Sequence, residues 1–395
     1  MKTDIPHVIV IGAGFTGCAL AHDLCLRGFA VTVFDRGELA SGTSGRTHGL
    51  LHSGARHCVT DQESAVECIQ ENIILRKIAA PTIEFNGGLF VAINESDLAY
   101  APRFELGAEQ CGIPIERQPL DRLFKIEPNL NPRILAAYSV PDGAFDPLRL
   151  ALAFAATARH NGADFRPYHE IRGLVFDGQG AVCGVRAWDR TADQVYEFQA
   201  DMVVNATGAW AGQVLKEIGT SVEVTPTPGV MVAYDGRLVN RVINRLNEPG
   251  DGDILIAQRR MVVIGTTSYE VEEVDYIPVE DPQVEQMRRD AIAMVPAVAG
   301  CKMRGAYMSA RPLVGKSAAG RSLARTFKCF DHAENDEIDG LVTVIGGKAT
   351  TCRLMAEKTA DLVCRKLGLE RPCVTAELPL RSYREYYTPV EGRLS

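Results

Sequence analysis

Three glycines and one aspartate near the N-terminus have the spacing that binds a dinucleotide. Gly12, Gly14 and Gly17 follow a short apolar run, and Asp35 stands at the end of a second one. The first two glycines allow a tight turn beside a pyrophosphate, and the third lets the following helix pack closely on the strand. The helix N-terminus offers free N–H groups to phosphates, and the aspartate can accept bonds from ribose hydroxyls. This fingerprint predicts a dinucleotide but does not separate FAD from NAD.

Two later segments favour FAD. The run 203–210 resembles the small-residue strand end that passes under the FAD of flavoproteins, and 346–348 adds a second glycine turn beside a helix. A nicotinamide enzyme needs no such third element. The cofactor contacts predicted from the three segments are Gly12, Gly14, Phe15, Thr16, Gly17, Asp35, Arg36, Ala206, Thr207, Gly208, Trp210, Gly346, Gly347, Lys348, Ala349 and Thr350.

The hydrophobic pattern places these motifs on an α/β fold. Short apolar runs alternate with helical periodicity, and nucleotide-type segments occur at the start, the middle and the end of the chain. We therefore expect a discontinuous, Rossmann-like FAD-binding domain and an α+β substrate-binding domain built on an antiparallel or mixed sheet. The expected divisions are 1–85, 146–222 and 308–377 for FAD, 86–145 and 223–307 for the substrate, and 378–395 as a C-terminal surface tail.

The charge and the cysteine content of the chain limit the kinds of partner that we expect. The 395 residues carry a formal net charge of -8, which disfavours a nucleic-acid partner but allows a local basic pocket. The 11 cysteines are scattered without a CxxC pair, so we expect reduced thiols, no metal site and a cytoplasmic location. We expect neither a signal peptide nor a transmembrane segment, which leaves peripheral contact with the inner face of the cytoplasmic membrane open.

A set of motifs in a fixed order identifies a family likeness. The segments are 42–56, Pro141-Asp-Gly, Asp146-Pro147, Ile264-Gly-Thr-Thr-Ser, Ala310-Arg-Pro-Leu, Asp331-His-Ala, Gly346-Gly-Lys and Arg353-Leu-Met-Ala-Glu. Together they resemble the FAD-dependent glycerol-3-phosphate dehydrogenases of the D-amino-acid-oxidase-like superfamily, above all the catalytic A subunit of the anaerobic enzyme.

The resemblance implies roles for further residues. It implies that 42–54 wraps a non-covalently bound flavin, and that cations hold the phosphate of a small anionic, hydroxylated substrate. The additional cofactor contacts are Thr43, Ser44, Arg46, His48, Gly49, Leu50 and Arg311. The matching cations are Arg56, Arg311, Lys348 and Arg353. Arginine suits a phosphate because its planar fork donates two parallel hydrogen bonds, and lysine adds a point charge.

The expected reaction moves a hydride from a secondary alcohol to flavin N5. Lys348 and Arg311 are the expected catalytic cations, because both can stabilise developing negative charge. His52 and His57 are the candidate bases for the hydroxyl proton, since an imidazole titrates near neutral pH.

Two departures from the family pattern leave the substrate open. His57 stands where the family has tyrosine, and Pro228 precedes Gly229 where the family has lysine. A pocket that is altered at these two positions would fit a related polyol phosphate, or a 2-hydroxy acid of the 2-hydroxyglutarate kind. The iron–sulfur domain of the anaerobic enzyme is not expected here, so the electrons would pass to a quinone, a partner subunit, a soluble acceptor or oxygen. A non-catalytic electron-transfer protein, and a homo- or hetero-oligomer, are further alternatives.

Overall fold

The computed structural model describes residues 5–216, 218–220, 222–269, 271, 273–315 and 326–388. The helices within these ranges are α1 Phe15–Leu26, α2 Gln62–Ile78, α3 Glu95–Gln110, α4 Leu120–Ile126, α5 Pro147–His160, α6 Ala211–Leu215, α7 Asp281–Met294, α8 His332–Asp336 and α9 Cys352–Lys366. The strands are β1 His7–Ile11, β2 Ala30–Phe34, β3 Leu50–Leu51, β4 Ile83–Glu84, β5 Gly88–Ala92, β6 Glu116–Arg117, β7 Ala136–Val140, β8 Gly143–Phe145, β9 Asp164–Arg166, β10 His169–Phe176, β11 Val182–Asp189, β12 Gln194–Gln199, β13 Met202–Asn205, β14 Val224–Asp235, β15 Val242–Arg245, β16 Ile254–Gln258, β17 Met261–Gly265, β18 Met303–Val314, β19 Phe327–Asp331 and β20 Leu341–Gly346.

A six-stranded sheet in the order β19-β20-β13-β1-β2-β9 forms the nucleotide-type core. All neighbours pair in parallel except β19 and β20. The central strand β1 is a continuous apolar run that is buried from Val8 to Ile11, as a strand covered on both faces should be. This sheet confirms the α/β, Rossmann-like fold class.

An eight-stranded sheet in the order β18-β14-β17-β16-β15-β5-β7-β6 stands beside the first. It is antiparallel apart from the β15–β5 pair, so it is the mixed sheet expected from the sequence. The two twelve-residue strands β14 and β18 pair along most of their length, with Thr227 opposite Arg311. The expected domain boundary at residue 308 falls inside β18, and the division into domains stays a prediction.

The segment after residue 378 is partly core. Leu380 and Tyr386 are buried in the cluster that also holds α1 and α5, and the Arg159 guanidinium lies 5.1 Å from the centre of the Tyr386 ring. Leu380 and Tyr386 therefore anchor this segment on the core, whereas the residues between them are exposed or half-buried. Residues 389–395 of the expected surface tail lie outside the described residues.

Candidate functional site

The glycine turn at the end of β1 borders a cavity of about 690 Å³. Gly12 has φ +103°, and a Cβ there would lie 2.8 Å from the carbonyl oxygen of Ala206. A Cβ at Gly17 would lie 1.8 Å from the carbonyl oxygen of Gly12, so α1 reaches the strand only because residue 17 has no side chain. These close approaches give the tight turn that a pyrophosphate needs.

Polar groups at this turn are already organised for a nucleotide. The Asp35 carboxylate lines the cavity and accepts the N–H groups of Ala13 at 2.7 Å and Gly37 at 2.9 Å. Burial raises the pKa of Asp35, although these two N–H groups oppose the effect. The Ser44 hydroxyl accepts the N–H of Phe15, the first residue of α1, at 2.9 Å. The loop at 42–47 is thereby held against the helix N-terminus.

Three side chains that line the large cavity contact one another and form a clasp. The Arg36 guanidinium lies 4.7 Å from the centre of the Trp210 ring and donates to the Asp275 carboxylate at 2.6 Å. The Trp210 indole N–H donates to the same carboxylate at 2.8 Å. Asp275 comes from the segment after β17, so this clasp joins loops of the two sheets.

Most residues predicted to contact the cofactor line this cavity. They are Gly12, Gly14, Phe15, Thr16, Asp35, Arg36, Thr43, Ser44, Arg46, Ala206, Thr207, Gly208, Trp210, Gly346, Gly347, Lys348 and Ala349. Gly17 packs behind the turn, as described above. His48, Leu50 and Arg311 line a second cavity instead, whereas Gly49 and Thr350 lie on the wall of neither.

The second cavity, of about 160 Å³, adjoins the first. Thr43, Gly347 and Lys348 border both cavities, so a ligand in one would face a ligand in the other. Among the residues predicted from the sequence, this smaller cavity brings together His48, Leu50, His52, Arg56, His57, Arg311 and Lys348. The candidate bases and the candidate cations therefore line the same cavity.

The Arg311 side chain lines the small cavity and contacts the neighbouring strand β14. Its guanidinium donates to the carbonyl oxygens of Thr227 at 3.3 Å and Thr267 at 3.2 Å, and to Thr266 Oγ1. Gly229 makes room, because a Cβ there would lie 2.6 Å from Arg311 Nη2. No carboxylate pairs with Arg311 in the described ranges, and burial together with the charge of Arg56 lowers its pKa to about 10. The result is a partly buried cation that can bind an anion.

Arg56 brings the second positive charge. Its Nη2 donates to Asp253 Oδ2 at 3.1 Å and to the Gly250 carbonyl at 3.0 Å. Its Nη1 is buried and has no hydrogen-bond partner among the described residues. A buried N–H without a partner is costly, so this atom is a donor available to a ligand.

Lys348 stands between the two cavities at the second glycine turn. Its Nζ contacts Ser64 Oγ on α2. One turn further along that helix, burial raises the pKa of Glu67 to about 6, and the Lys348 charge partly opposes the rise. The lysine thus adds positive charge where the cavities meet.

Three histidines form a row along the small cavity. The ring centres of His48 and His52 lie 6.3 Å apart, and those of His52 and His57 lie 5.8 Å apart. Burial and the charges of Arg311 and Arg56 lower the pKa of His48 to about 3. This row places both candidate bases beside the cations.

The backbone at His52 is clamped from three sides. Thr350 Oγ1 accepts its N–H at 3.0 Å, and Asn72 Nδ2 donates to its carbonyl oxygen at 3.1 Å. The buried Asp142 carboxylate accepts the N–H of Ser53 at 2.7 Å and the amide of Asn244 at 3.1 Å. Groups from distant parts of the chain therefore fix the position from which the His52 side chain projects.

Arg353 does not belong to the site, contrary to the sequence-based expectation. Its side chain is 4% exposed, lines neither cavity, and binds Glu71 and Glu357. It also donates to Thr375 Oγ1 at 3.1 Å. With its donors committed to two carboxylates, Arg353 holds α9 against α2 and has no free edge for a substrate phosphate.

Sequence reasoning missed several residues of the two walls. Thr266 lies in the quoted run 264–268 and Asp142 in Pro141-Asp-Gly, yet neither motif indicated a role for these side chains. Asp275, Arg172 and Arg190 line the large cavity but follow no local motif. Only their positions in the folded chain bring them there.

The six-stranded sheet with its glycine turn, next to a cation-lined cavity on a mixed sheet, is the architecture of a flavin-dependent oxidoreductase. Residues 7–362 match the family described as DAO, FAD dependent oxidoreductase, and the chain belongs to this family. Its cofactor is FAD, and the glycine cradle, helix N-terminus and Asp35 fit that dinucleotide.

Individual proteins of known name are similar to the chain over most of its length. The chain is 41% identical to the A1 subunit of the anaerobic glycerol-3-phosphate dehydrogenase of Haloferax volcanii, over 96% of this chain and 67% of that protein. Identity to the A subunit of the Escherichia coli K12 enzyme of the same name is also 41%, over 96% of this chain and 70% of the relative. Among solved structures, the FAD complex of the Bacillus halodurans glycerol-3-phosphate dehydrogenase aligns with a TM-score of 0.72 at 22% identity, over 96% of this chain and 68% of that one.

Within the described ranges, no group of three or more His, Cys, Asp or Glu side chains is arranged to hold a metal ion. The helices described there are all too short or too polar to cross a membrane.

Proposed function

We propose that this chain oxidises glycerol 3-phosphate to dihydroxyacetone phosphate, with FAD as the hydride acceptor. The observation that carries the proposal is the small cavity, where two partly buried arginines offer donors to an anion next to the cofactor cavity. Arg311 has no carboxylate partner among the described residues, and Arg56 keeps one buried N–H for a ligand. The relatives named as glycerol-3-phosphate dehydrogenases support the same substrate.

The chain's own residues have separable roles in this reaction. Bound FAD supplies the acceptor for the hydride. Arg311 and Arg56 bind the phosphate and exclude other orientations of the substrate. Lys348, at the junction of the cavities, stabilises negative charge that develops there. His52 receives the hydroxyl proton, because its backbone is fixed and its ring faces the small cavity. His57 is the alternative base.

Two further parts of the proposal concern partners and location. We propose that the electrons pass on to a quinone or a partner protein, because both relatives are named as single subunits of a larger enzyme. A cytoplasmic location with peripheral membrane contact, and the absence of a nucleic-acid partner, stay predictions from composition.

A 2-hydroxy acid is the second candidate substrate class. Asp253 offsets part of the charge of Arg56, and Pro228 leaves β14 without the family's lysine, so the cavity is less positive than the family pattern implies. A dicarboxylate with a secondary hydroxyl would suit such a cavity.

A panel of alcohols distinguishes these candidates. The purified flavoprotein is mixed without oxygen with glycerol 3-phosphate, glycerol, 2-hydroxyglutarate or lactate, and the flavin absorbance is followed. We expect rapid bleaching by glycerol 3-phosphate and little by glycerol, which lacks the anion. Bleaching by 2-hydroxyglutarate alone would replace the proposed substrate, and bleaching by none would favour a pure electron-transfer protein.

A further inference from the structure

Both the backbone and the ring of His48 are fixed by contacts with neighbouring residues. Its carbonyl oxygen accepts Gln258 Nε2 at 2.9 Å, and the next residue, Gly49, has φ +78° with no space for a Cβ beside Phe145. Its ring nitrogen Nδ1 lies 3.1 Å from the backbone N–H of Leu50. The side chain lines the small cavity and not the large one. Backbone and ring are therefore both fixed on the substrate side.

The contact with Leu50 indicates which ring nitrogen carries the proton. A neutral imidazole has one donor and one acceptor nitrogen, and Nδ1 must accept because its partner is a backbone N–H. The proton is then on Nε2. The ring stays neutral because it is buried beside two arginines, so burial and the charges of Arg311 and Arg56 lower the pKa of His48 to about 3. A ring in this state can donate from Nε2 but cannot take up a proton at working pH.

We propose that His48 donates its Nε2–H to the anionic group of the substrate and completes, with Arg56 and Arg311, a three-residue anion site. This inference rests on the proposed function and extends it. A neutral donor adds a hydrogen bond without adding a third positive charge beside the two arginines. It also separates the histidines by role: His48 binds, and the proton acceptor is His52, whose ring centre is 6.3 Å away.

Two substitutions test the donor. His48→Gln keeps an N–H near the position of Nε2, whereas His48→Leu fills the space without one, and His160→Leu at the exposed end of α5 is the matched control. Binding of inorganic phosphate is followed through the flavin spectrum, together with kcat and KM for glycerol 3-phosphate. We expect His48→Leu to weaken phosphate binding and to raise KM, each by about 10- to 100-fold, because a hydrogen bond to a charged group is lost. We expect kcat to change less than about threefold, and His48→Gln to stay near the wild type.

The opposite pattern would overturn the proposal. A loss of kcat of about 1,000-fold in both variants with unchanged phosphate binding would make His48 the base, and unchanged values in both would remove it from the site. The phosphate titration does not depend on turnover, so failure to oxidise glycerol 3-phosphate would refute the proposed function while leaving the donor test readable.

The tautomer can be observed directly in the wild-type holoenzyme. Nitrogen-15 spectra of the histidine side chains, assigned with His48→Gln, report which ring nitrogen is protonated. We expect His48 to remain neutral and protonated at Nε2 from about pH 6 to pH 8. A ring that titrates within that range, or one protonated at Nδ1, contradicts the inference even if His48→Leu fails to fold.

Discussion

At the residue scale, two arginine side chains have different roles because they have different partners. Among the residues that the structure describes, Arg311 donates to backbone carbonyls and a threonine hydroxyl and pairs with no carboxylate, so its charge stays available. Arg353 is buried and binds two carboxylates, which hold its charge and fix its geometry. The sequence predicted both as phosphate ligands, because the motif shows the residue type and not the partner.

Arg311→Ala is expected to weaken the substrate interaction without removing the cofactor. Loss of a buried, charge-assisted interaction should raise KM for glycerol 3-phosphate by about 100-fold, on the order of 3 kcal/mol. Arg122→Ala, an exposed change on α4, serves as the matched control. Steady-state kinetics and the flavin spectrum of each variant are compared. An unchanged KM in Arg311→Ala would refute its role as an anion ligand.

At the element scale, the structure agrees closely with the periodicity of the sequence. The sequence pattern predicts a helix over 62–79, and the observed helix runs from Gln62 to Ile78. The apolar run 341–345 predicts a buried strand, and the observed strand runs from Leu341 to Gly346. Long periodic segments are predictable because burial of one face determines them locally. The clamp around His52 was not predictable, because Asp142 and Ser53 are 89 residues apart and meet only in the fold.

Asp142→Ala is expected to disturb catalysis through the His52 segment. It leaves the N–H of Ser53 and the amide of Asn244 without their acceptor, so His52, the proposed base, should shift and kcat should fall by about 10- to 100-fold. Phosphate affinity should change less than about threefold, because Arg56 and Arg311 are untouched. Asp142→Asn, which keeps one acceptor oxygen, should recover part of kcat.

The control for this change is Asp121→Ala on the exposed face of α4. Thermal unfolding is measured beside kcat, since loss of a buried acceptor also lowers stability. A large drop in Tm with an unchanged kcat would show that Asp142 supports the fold without positioning His52.

At the scale of the whole molecule, the site exists because two sheets meet. The parallel sheet supplies the nucleotide cavity, the mixed sheet supplies Arg311 and Gly229, and Lys348 borders both spaces. The sequence predicted the two sheet types and nearly half of the residues that line the first cavity. It did not predict the Arg36–Trp210–Asp275 clasp, because that contact depends on how the loops of one sheet reach the other.

A buried histidine gives the molecule an acid sensitivity that can be measured. His22 on α1 is 1% exposed, neither ring nitrogen has a partner among the described residues, and burial lowers its pKa to about 4. Since the unfolded chain takes up a proton below about pH 6.5 and the folded chain does not, stability should fall as the pH drops from about 7 to 5.

His22→Leu should reduce that loss by about 2 kcal/mol at pH 5, because the replacement cannot titrate. Thermal unfolding at about pH 7 and pH 5 provides the comparison, with His160→Leu at an exposed position as the control. Equal acid sensitivity in His22→Leu and the wild type would show that His22 does not set this dependence.

The proposed function is the oxidation of a phosphorylated secondary alcohol that binds in the small cavity beside FAD. Its most direct test is an anaerobic titration of the purified protein with glycerol 3-phosphate, followed by the flavin absorbance and by assay of the ketone product. We predict that one flavin is bleached for each dihydroxyacetone phosphate formed. A flavin that stays oxidised in excess glycerol 3-phosphate would contradict it.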